Sequence, residues 1–339
     1  MTGAELRRRR AAAQRLHRPD DGVAPADIVR HLLAVQAQDL RAARLALRAR
    51  GHGFSAADVD AALEDGSLVI AWLLRSTLHL VAAEDFRWLH SLTAGIGEAG
   101  GRRRLAQLEV APDDAERAVA LIAQAVGEAP RTRAELAARL AAEGIPTTGQ
   151  ATPHLLALAA RRGACLLGPL RDGAPVFVPP PDIVADPAPG ADALARLTRR
   201  YLAAHGPATA HDLGRWSGLS LGDARTGFAA LAGETHADGE LIGLAGRREP
   251  PARIAPRLLP AFDPYLLGWR DRSFAVAPEH ARTVHPGGGI VRAVATVDGR
   301  AVGTWTAPRG RVALAPFGPL SARDGAALRP EAADIARFG

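Results

Sequence analysis

Lysine is absent from this chain of 339 residues, and cysteine occurs only once. The 42 basic residues are therefore all arginine, and no side chain can form the Schiff base that a lysine-dependent lyase requires. The single Cys165 excludes an internal disulfide and a cysteine-based zinc site. No apolar stretch approaches the roughly 20 residues of a membrane span, so we expect a cytoplasmic protein that does not act on a membrane.

The residues that are present describe a basic globular protein. Hydrophobic residues make up 47% of the chain and charged residues 23%, with a net charge of +6. A positive chain favours a nucleic-acid partner, although +6 spread over this length is weak support by itself. His79 has no second ligand at a useful spacing, so we predict no metal site and expect no cofactor.

One pattern of helices followed by a short hairpin occurs three times, and a strand-rich segment follows it. This order is typical of winged helices, so the predicted fold class is α+β, with three tandem winged-helix modules and a small C-terminal β-barrel. The predicted boundaries are 1–110, 111–182, 183–255 and 256–339. A proline-rich connector is predicted over 178–190.

Local signals support this division. Thr132 and Glu135 have the spacing of a capping box, and Ser220 is placed to cap the predicted helix Leu221–Ala232. Asp-Gly pairs mark tight hairpin turns at 172–173, 238–239 and 298–299. A short helix over 329–338 closes the chain.

The Gln36-Ala37-Gln38 segment is the most informative part of the sequence. It ends an apolar run, and Asp39 stands as the N-cap of the helix that follows. In an extended junction residues i and i+2 point to the same side, so the two amides would face one small volume. Inside a helix they would point roughly 200° apart and could not act together.

Five segments in their expected order resemble the winged-helix DNA glycosylases of the AlkZ and YcaQ type. They span almost the whole chain: Leu33–Asp39, Trp72–Leu80, Leu259–Arg272, His285–Gly289 and Val297–Trp305. The resemblance implies three winged helices, a β-barrel and excision of alkylated bases from DNA. It makes Gln36 and Gln38 the catalytic residues, in the Gln-x-Gln form of the AlkZ branch rather than the form with a second aspartate.

This resemblance implies a specific reaction. The substrate would be an N7-alkylated purine in double-stranded DNA, in a bulky adduct or an interstrand crosslink. A purine alkylated at N7 is already a good leaving group, so water positioning and carbonyl dipoles could replace a titrating base. The product would be an abasic site without strand cleavage, and one site per chain makes a monomer the simplest expectation.

Several further residues are candidates for contacts with DNA. Alternation along a strand would place Arg75, Thr77 and His79 on one face; the alternatives are a core histidine and an internal salt bridge. The other candidates for DNA binding lie on the wings and loops and are Arg171, Arg247, Arg248, Gly287 and Gly288. Asp263, Arg270 and Asp271 could line the mouth of the active site, or form an internal ion-pair network.

Two other classes of protein stay open from the sequence. A winged-helix regulator would bind undamaged DNA and release no base, and it would need a recognition helix that reads base edges. A scaffold without affinity for nucleic acid would show no salt-dependent DNA binding.

Overall fold

The computed structural model describes residues 1–17, 20–181 and 190–338 of the chain. These residues form two compact units. Unit 1 comprises Met1–Val59 and Ala191–Gly339, and unit 2 comprises Asp60–Gly190. Positions 182–189 of the predicted proline-rich connector lie outside the described residues.

Helices dominate both units. In chain order the α-helices of the described residues are α1 (Gly3–Ala13), α2 (Pro25–Leu32), α3 (Leu40–Arg48), α4 (Ala56–Glu64), α5 (Ala83–Thr93), α6 (Glu98–Gln107), α7 (Pro112–Glu128), α8 (Arg133–Ala142), α9 (Ala151–Arg161), α10 (Ala191–His205), α11 (Ala210–Ser217), α12 (Leu221–Ala229), α13 (Pro264–Leu267), α14 (Ala281–Val284) and α15 (Ala322–Phe338). None of these helices, within the described ranges, has both the length and the hydropathy needed to cross a membrane.

The strands are short. They are β1 (Asp20–Asp21), β2 (Val35–Gln36), β3 (Gly51–His52), β4 (Leu68–Leu73), β5 (Thr77–Ala82), β6 (Leu166–Arg171), β7 (Ala174–Val178), β8 (Thr235–Asp238), β9 (Leu241–Leu244), β10 (Arg257–Leu259), β11 (Val294–Val297), β12 (Arg300–Thr306) and β13 (Ala313–Pro316).

In unit 2, the antiparallel strands β5, β4, β6 and β7 lie side by side in that order. Strand β4 pairs with β5 from Leu68 opposite Ala82 to Leu73 opposite Thr77. Strand β4 is buried along nearly its whole length, as expected for a continuous apolar run. The predicted turn between β6 and β7 is confirmed, since residues 172 and 173 both have positive φ.

The C-terminal strands of unit 1 form an open sheet in the order β10-β11-β12-β13. The described residues contain no closed barrel, so the predicted barrel is not confirmed. A physical reason lies at the β10 edge, where Glu331 of α15 accepts hydrogen bonds from the Leu258 amide and from Arg257, both at 3.1 Å. A buried carboxylate thus satisfies the Leu258 amide, a backbone donor that a further strand would otherwise pair.

The helix caps follow the sequence closely. Thr132 and Glu135 form the predicted capping box, and Ser220 accepts from the amide of Asp223 at the start of α12. Helix α15 begins seven residues before the predicted start, at Ala322, and includes Pro330 in its interior.

Both units contain three helices followed by a β-hairpin. The elements are α10, α11, α12, β8 and β9 in unit 1, and α7, α8, α9, β6 and β7 in unit 2. Assigning these segments to winged-helix modules, with the boundaries given above, stays an interpretation. The mixed α/β character of the fold is confirmed.

Candidate functional site

The two glutamines of the Gln-Ala-Gln segment are hydrogen-bonded to each other. Nε2 of Gln36 donates to Oε1 of Gln38 at 2.7 Å. Ala37 between them is buried, whereas Gln38 is exposed and Gln36 half-buried. The segment is therefore extended, and both amides lie on its outer side, as predicted.

Local backbone features hold this segment in place. Helix α2 ends at Leu32, and Leu33 turns the chain with a φ of 70°. Because Leu33, Ala34 and Val35 are buried, the chain leaves the helix through the core and reaches the surface at Gln36. On the other side, the Asp39 carboxylate accepts from the amide of Ala42 at 3.0 Å and caps α3, which confirms the predicted cap.

Helix α3 is anchored at its far end by two buried arginines. Arg48 donates to Asp334 at 2.9 Å and to Glu331 at 3.1 Å. Arg50, just after the helix, forms an ion pair with Asp263 at 2.8 Å, and neither side chain is exposed. A helix that is capped at one end and clamped at the other gives the glutamine pair a rigid support.

The pair offers oriented amides and no titrating group. Oε1 of Gln38 accepts one hydrogen bond from Gln36 and has a second lone pair for another donor, such as a water molecule. An amide cannot remove a proton in the useful pH range, so its chemical role would be to orient water and to stabilise positive charge.

Asp263 does not lie at the mouth of a site. Besides its pair with Arg50, its carboxylate accepts from the amide of Tyr265 at 2.9 Å, and the residue is fully buried. The internal ion-pair alternative is therefore the correct one for Asp263. The sequence could not separate the two, because the partner Arg50 lies 213 positions away.

Arg270 and Asp271 are exposed, as a position on a surface site would require. The Asp271 carboxylate accepts from the amide and the hydroxyl of Ser273, both at 2.9 Å, so it stabilises a local turn. The amide of Arg270 donates to buried Asp212 at 2.9 Å. A contact of Arg270 or Asp271 with substrate stays a prediction.

In unit 2, Arg75 lies in the turn between β4 and β5 with φ 54° and ψ 18°. Thr77 donates through its hydroxyl to the carbonyl of Leu74 at 3.1 Å. His79 is buried, and its Nδ1 lies 2.9 Å from the carbonyl oxygen of Thr77. Burial and the nearby Arg75 lower the pKa of His79 to about 3, so the ring is neutral and has the environment of a core histidine.

Arg161 was missed by the sequence analysis although it lies beside this turn. Its Nη1 donates to the hydroxyl oxygen of Ser76 at 3.3 Å. In a sequence, an Arg-Arg pair at the end of a helix indicates a solvent-exposed helix terminus. Gly101 leaves room for Arg161, because a side chain at position 101 would overlap with the Arg161 guanidinium.

The next candidates for DNA binding, on a hairpin and a loop, differ in whether they already contact other residues. Arg171 at the end of β6 is exposed and pairs with Glu135 at 3.1 Å, while donating to the carbonyl of Pro130 at 3.0 Å. Gly287 and Gly288 have positive φ values of 107° and 61°, and open space surrounds both. Their backbone is accessible to a ligand, as close approach of a DNA strand would require.

Arg247 and Arg248 line a cavity of about 480 Å³ within unit 1. Arg247 donates through Nη1 to the carbonyl oxygens of Leu202 and Ala203, and burial lowers its pKa. Arg9 and Glu249, which also line the cavity, form an ion pair at 2.7 Å. Across the described ranges, no group of three or more His, Cys, Asp and Glu side chains is arranged to hold a metal ion.

Comparison with known proteins places this chain among the DNA glycosylases. It matches the family described as DNA glycosylase AlkZ-like over residues 29–338 and belongs to that family. A protein of Streptomyces sahachiroi named an interstrand DNA cross-link repair glycosylase is 30% identical over 333 residues, covering 92% of this chain and 90% of its own length.

The fold agrees with this assignment. The solved structure of the Streptomyces sahachiroi DNA glycosylase AlkZ superposes with a TM-score of 0.85 at 26% identity. The superposition covers 100% of this chain and 96% of the solved one. The resemblance stated from the sequence is therefore confirmed at the level of the family.

Proposed function

We propose that this protein hydrolyses the N-glycosidic bond of N7-alkylated purines in double-stranded DNA, with bulky adducts and interstrand crosslinks as its substrates. The observation that carries the proposal is the 2.7 Å hydrogen bond between Gln36 and Gln38 on the outer side of a supported, extended segment. Membership of a DNA glycosylase family and similarity to a relative named for crosslink repair support it.

The chemistry follows from what an amide pair can do. Cleavage of the glycosidic bond builds positive charge on the sugar, and amide carbonyl oxygens stabilise that charge by their dipoles. A base alkylated at N7 carries a positive charge and departs neutral, so no general acid is required. Gln36 and Gln38 then hold the attacking water on the far face of the sugar.

An exposed pair also suits a tethered base. A crosslinked base is bound to both strands and cannot swing freely into a deep pocket, as base flipping requires. Because Gln38 is exposed and Gln36 only half-buried, their amides can meet a lesion at the surface of the duplex. We propose that Arg75, Arg171, Arg247 and Arg248 bind backbone phosphates, and that the enzyme acts as a monomer.

The product is an intact strand with an abasic site. Without lysine, the chain has no side-chain amine that could form a Schiff base. The enzyme is accordingly monofunctional, with no strand cleavage by a lyase step.

The test measures base release and strand integrity in parallel. A duplex with a single N7-methylguanine and a duplex with one N7-linked crosslink are incubated with the protein, and each product is analysed before and after alkaline cleavage. The proposal predicts strand breaks only after alkali, and unhooking of the crosslink. Breaks without alkali would refute the monofunctional assignment, and binding without release from either duplex would favour a DNA-binding regulator.

A further inference from the structure

Arg161 in unit 2 is a buried cation without an anion. Its side chain and backbone are only 8% exposed. Within residues 1–17, 20–181 and 190–338, no carboxylate lies within 4.0 Å of its guanidinium. Its Nε is buried and has no hydrogen-bond partner among these residues, and its single side-chain hydrogen bond is the one to Ser76.

The carboxylate that acts on Arg161 electrostatically, Glu98, is already paired with other arginines. Arg162 pairs with Glu98 at 3.1 Å and with Glu116 at 3.2 Å, and Arg102 also pairs with Glu98. Burial lowers the pKa of Arg161, and the charge of Glu98 partly opposes this effect. A buried charge that is not compensated is expensive, so a purely structural arginine would be expected to have a carboxylate partner.

The turn that holds Ser76 is strained. Arg75 and Ser76 both have left-handed backbone conformations, with φ of 54° and 58°. Such a conformation costs about 1 kcal/mol or more for a residue other than glycine, and strain of this kind concentrates at functional sites. Gly97 accommodates the turn, because a Cβ there would lie 3.0 Å from the Cβ of Ser76.

The free hydrogen-bonding groups of Arg161 and Ser76 define the chemistry of a ligand that fits between them. The Ser76 hydroxyl oxygen accepts from Nη1 of Arg161, so its own hydrogen is available to donate. Nη2 of Arg161 adds N–H donors with no acceptor among the described residues. A guanidinium with a hydroxyl beside it is a donor set that matches a phosphate oxygen pair.

We propose that Arg161 and Ser76 bind a phosphodiester of the DNA backbone. This inference rests on the proposed function, since it assumes that DNA is the substrate. The bound phosphate supplies the negative charge that Arg161 lacks, and the strained turn positions the Ser76 hydroxyl to donate to it.

The experiment follows DNA binding by fluorescence anisotropy from about 50 to 200 mM NaCl, with Arg161→Met, Arg161→Lys and Ser76→Ala beside the wild type. Losing one phosphate contact lowers the slope of log K against log salt by about 1. We expect this for Arg161→Met. Arg161→Lys retains the slope, and Ser76→Ala weakens binding without changing it.

Arg139→Met is the matched control. Arg139 is also an arginine of unit 2, but it pairs with Glu128 at 2.8 Å, and its variant should keep the wild-type slope. Thermal melting reports whether each variant folds; if Arg161→Met does not, Ser76→Ala decides the question, because a DNA affinity equal to that of the wild type would overturn the site. A slope for Arg161→Met equal to that of the wild type would overturn the site.

Three further outcomes distinguish free phosphate from DNA phosphate as the ligand, and failure of the site from failure of the proposed function. If inorganic phosphate protects the wild type against heat in an Arg161-dependent manner while the DNA slope stays unchanged, the site takes free phosphate and the DNA assignment is wrong. If the wild type binds no DNA, the proposed function and the site both fail. If it binds and excises while Arg161→Met keeps the slope, the site alone fails.

Discussion

Removing the charge of Asp263 should destabilise unit 1 strongly. Arg50 donates to both carboxylate oxygens of Asp263, at 2.8 and 2.9 Å, and also to Gln14 at 2.8 Å. Neither Arg50 nor Asp263 is exposed, so Asp263→Asn leaves a buried guanidinium without its counter-ion. Breaking such a buried pair costs about 3–5 kcal/mol in free energy of unfolding.

The effect is large enough to measure by urea denaturation and thermal melting. At about 2–4 °C per kcal/mol for a unit of this size, Asp263→Asn should lower Tm by about 6–20 °C. Glu234→Gln is the matched control, because Glu234 pairs with Arg199 on the surface at 2.6 Å, with both side chains more than 40% exposed. Exposed pairs contribute about 0–1 kcal/mol.

The double variant Arg50→Met/Asp263→Leu extends the test. Replacing both charges by apolar groups removes the penalty of an unpaired ion, so the double variant should be more stable than Asp263→Asn. If Asp263→Asn costs no more than Glu234→Gln, the buried pair is not the anchor that we describe for α3.

Two predictions concern stability elsewhere in the chain. His79 and His205 are buried, and burial lowers the pKa of each to about 3. The unfolded chain protonates them below about pH 6.5 while the folded chain does not, so stability falls as the pH decreases, by about 2 kcal/mol per histidine between pH 6.5 and 5. Urea titrations at both pH values measure this, and a His79→Leu variant whose pH dependence equals that of the wild type would contradict it. Thr132→Ala removes the capping-box hydrogen bond to the Glu135 amide and should cost about 1 kcal/mol in the same assay; a loss below the experimental error would mean that the cap contributes nothing.

Local features of the candidate site could be predicted from the sequence. The extended Gln36-Ala37-Gln38 geometry follows from an alternation of side chains with period two, and the Asp39 cap follows from the chemistry of a helix start. Both depend only on neighbours within a few positions. The hairpin turn at 172–173 and the cap at Ser220 were predictable for the same reason.

Features that depend on distant partners could not be predicted. The burial of Asp263 depends on its ion pair with Arg50. The open edge of the C-terminal sheet depends on Glu331, which accepts a hydrogen bond from Leu258 although the two residues are 73 positions apart in the chain. Arg161 gave no signal because its unusual property is the absence of a carboxylate, which only the packed structure reveals. Sequence motifs therefore identified the candidate residues, whereas packing determined which of them are paired, buried or accessible.

The measurement that tests the central claim most directly is a double-mutant cycle on the glutamine pair. Single-turnover base release from an N7-methylguanine duplex is compared for the wild type, Gln36→Ala, Gln38→Ala and the double variant, with Gln124→Ala on α7 as the control. Loss of one such polar contact should reduce the rate by about 10²–10³. Because the two amides are hydrogen-bonded and act as a unit, the double variant should be little worse than either single one. Rates that stay within a few-fold of the wild type, or fall equally for Gln124→Ala, would contradict a catalytic role for Gln36 and Gln38.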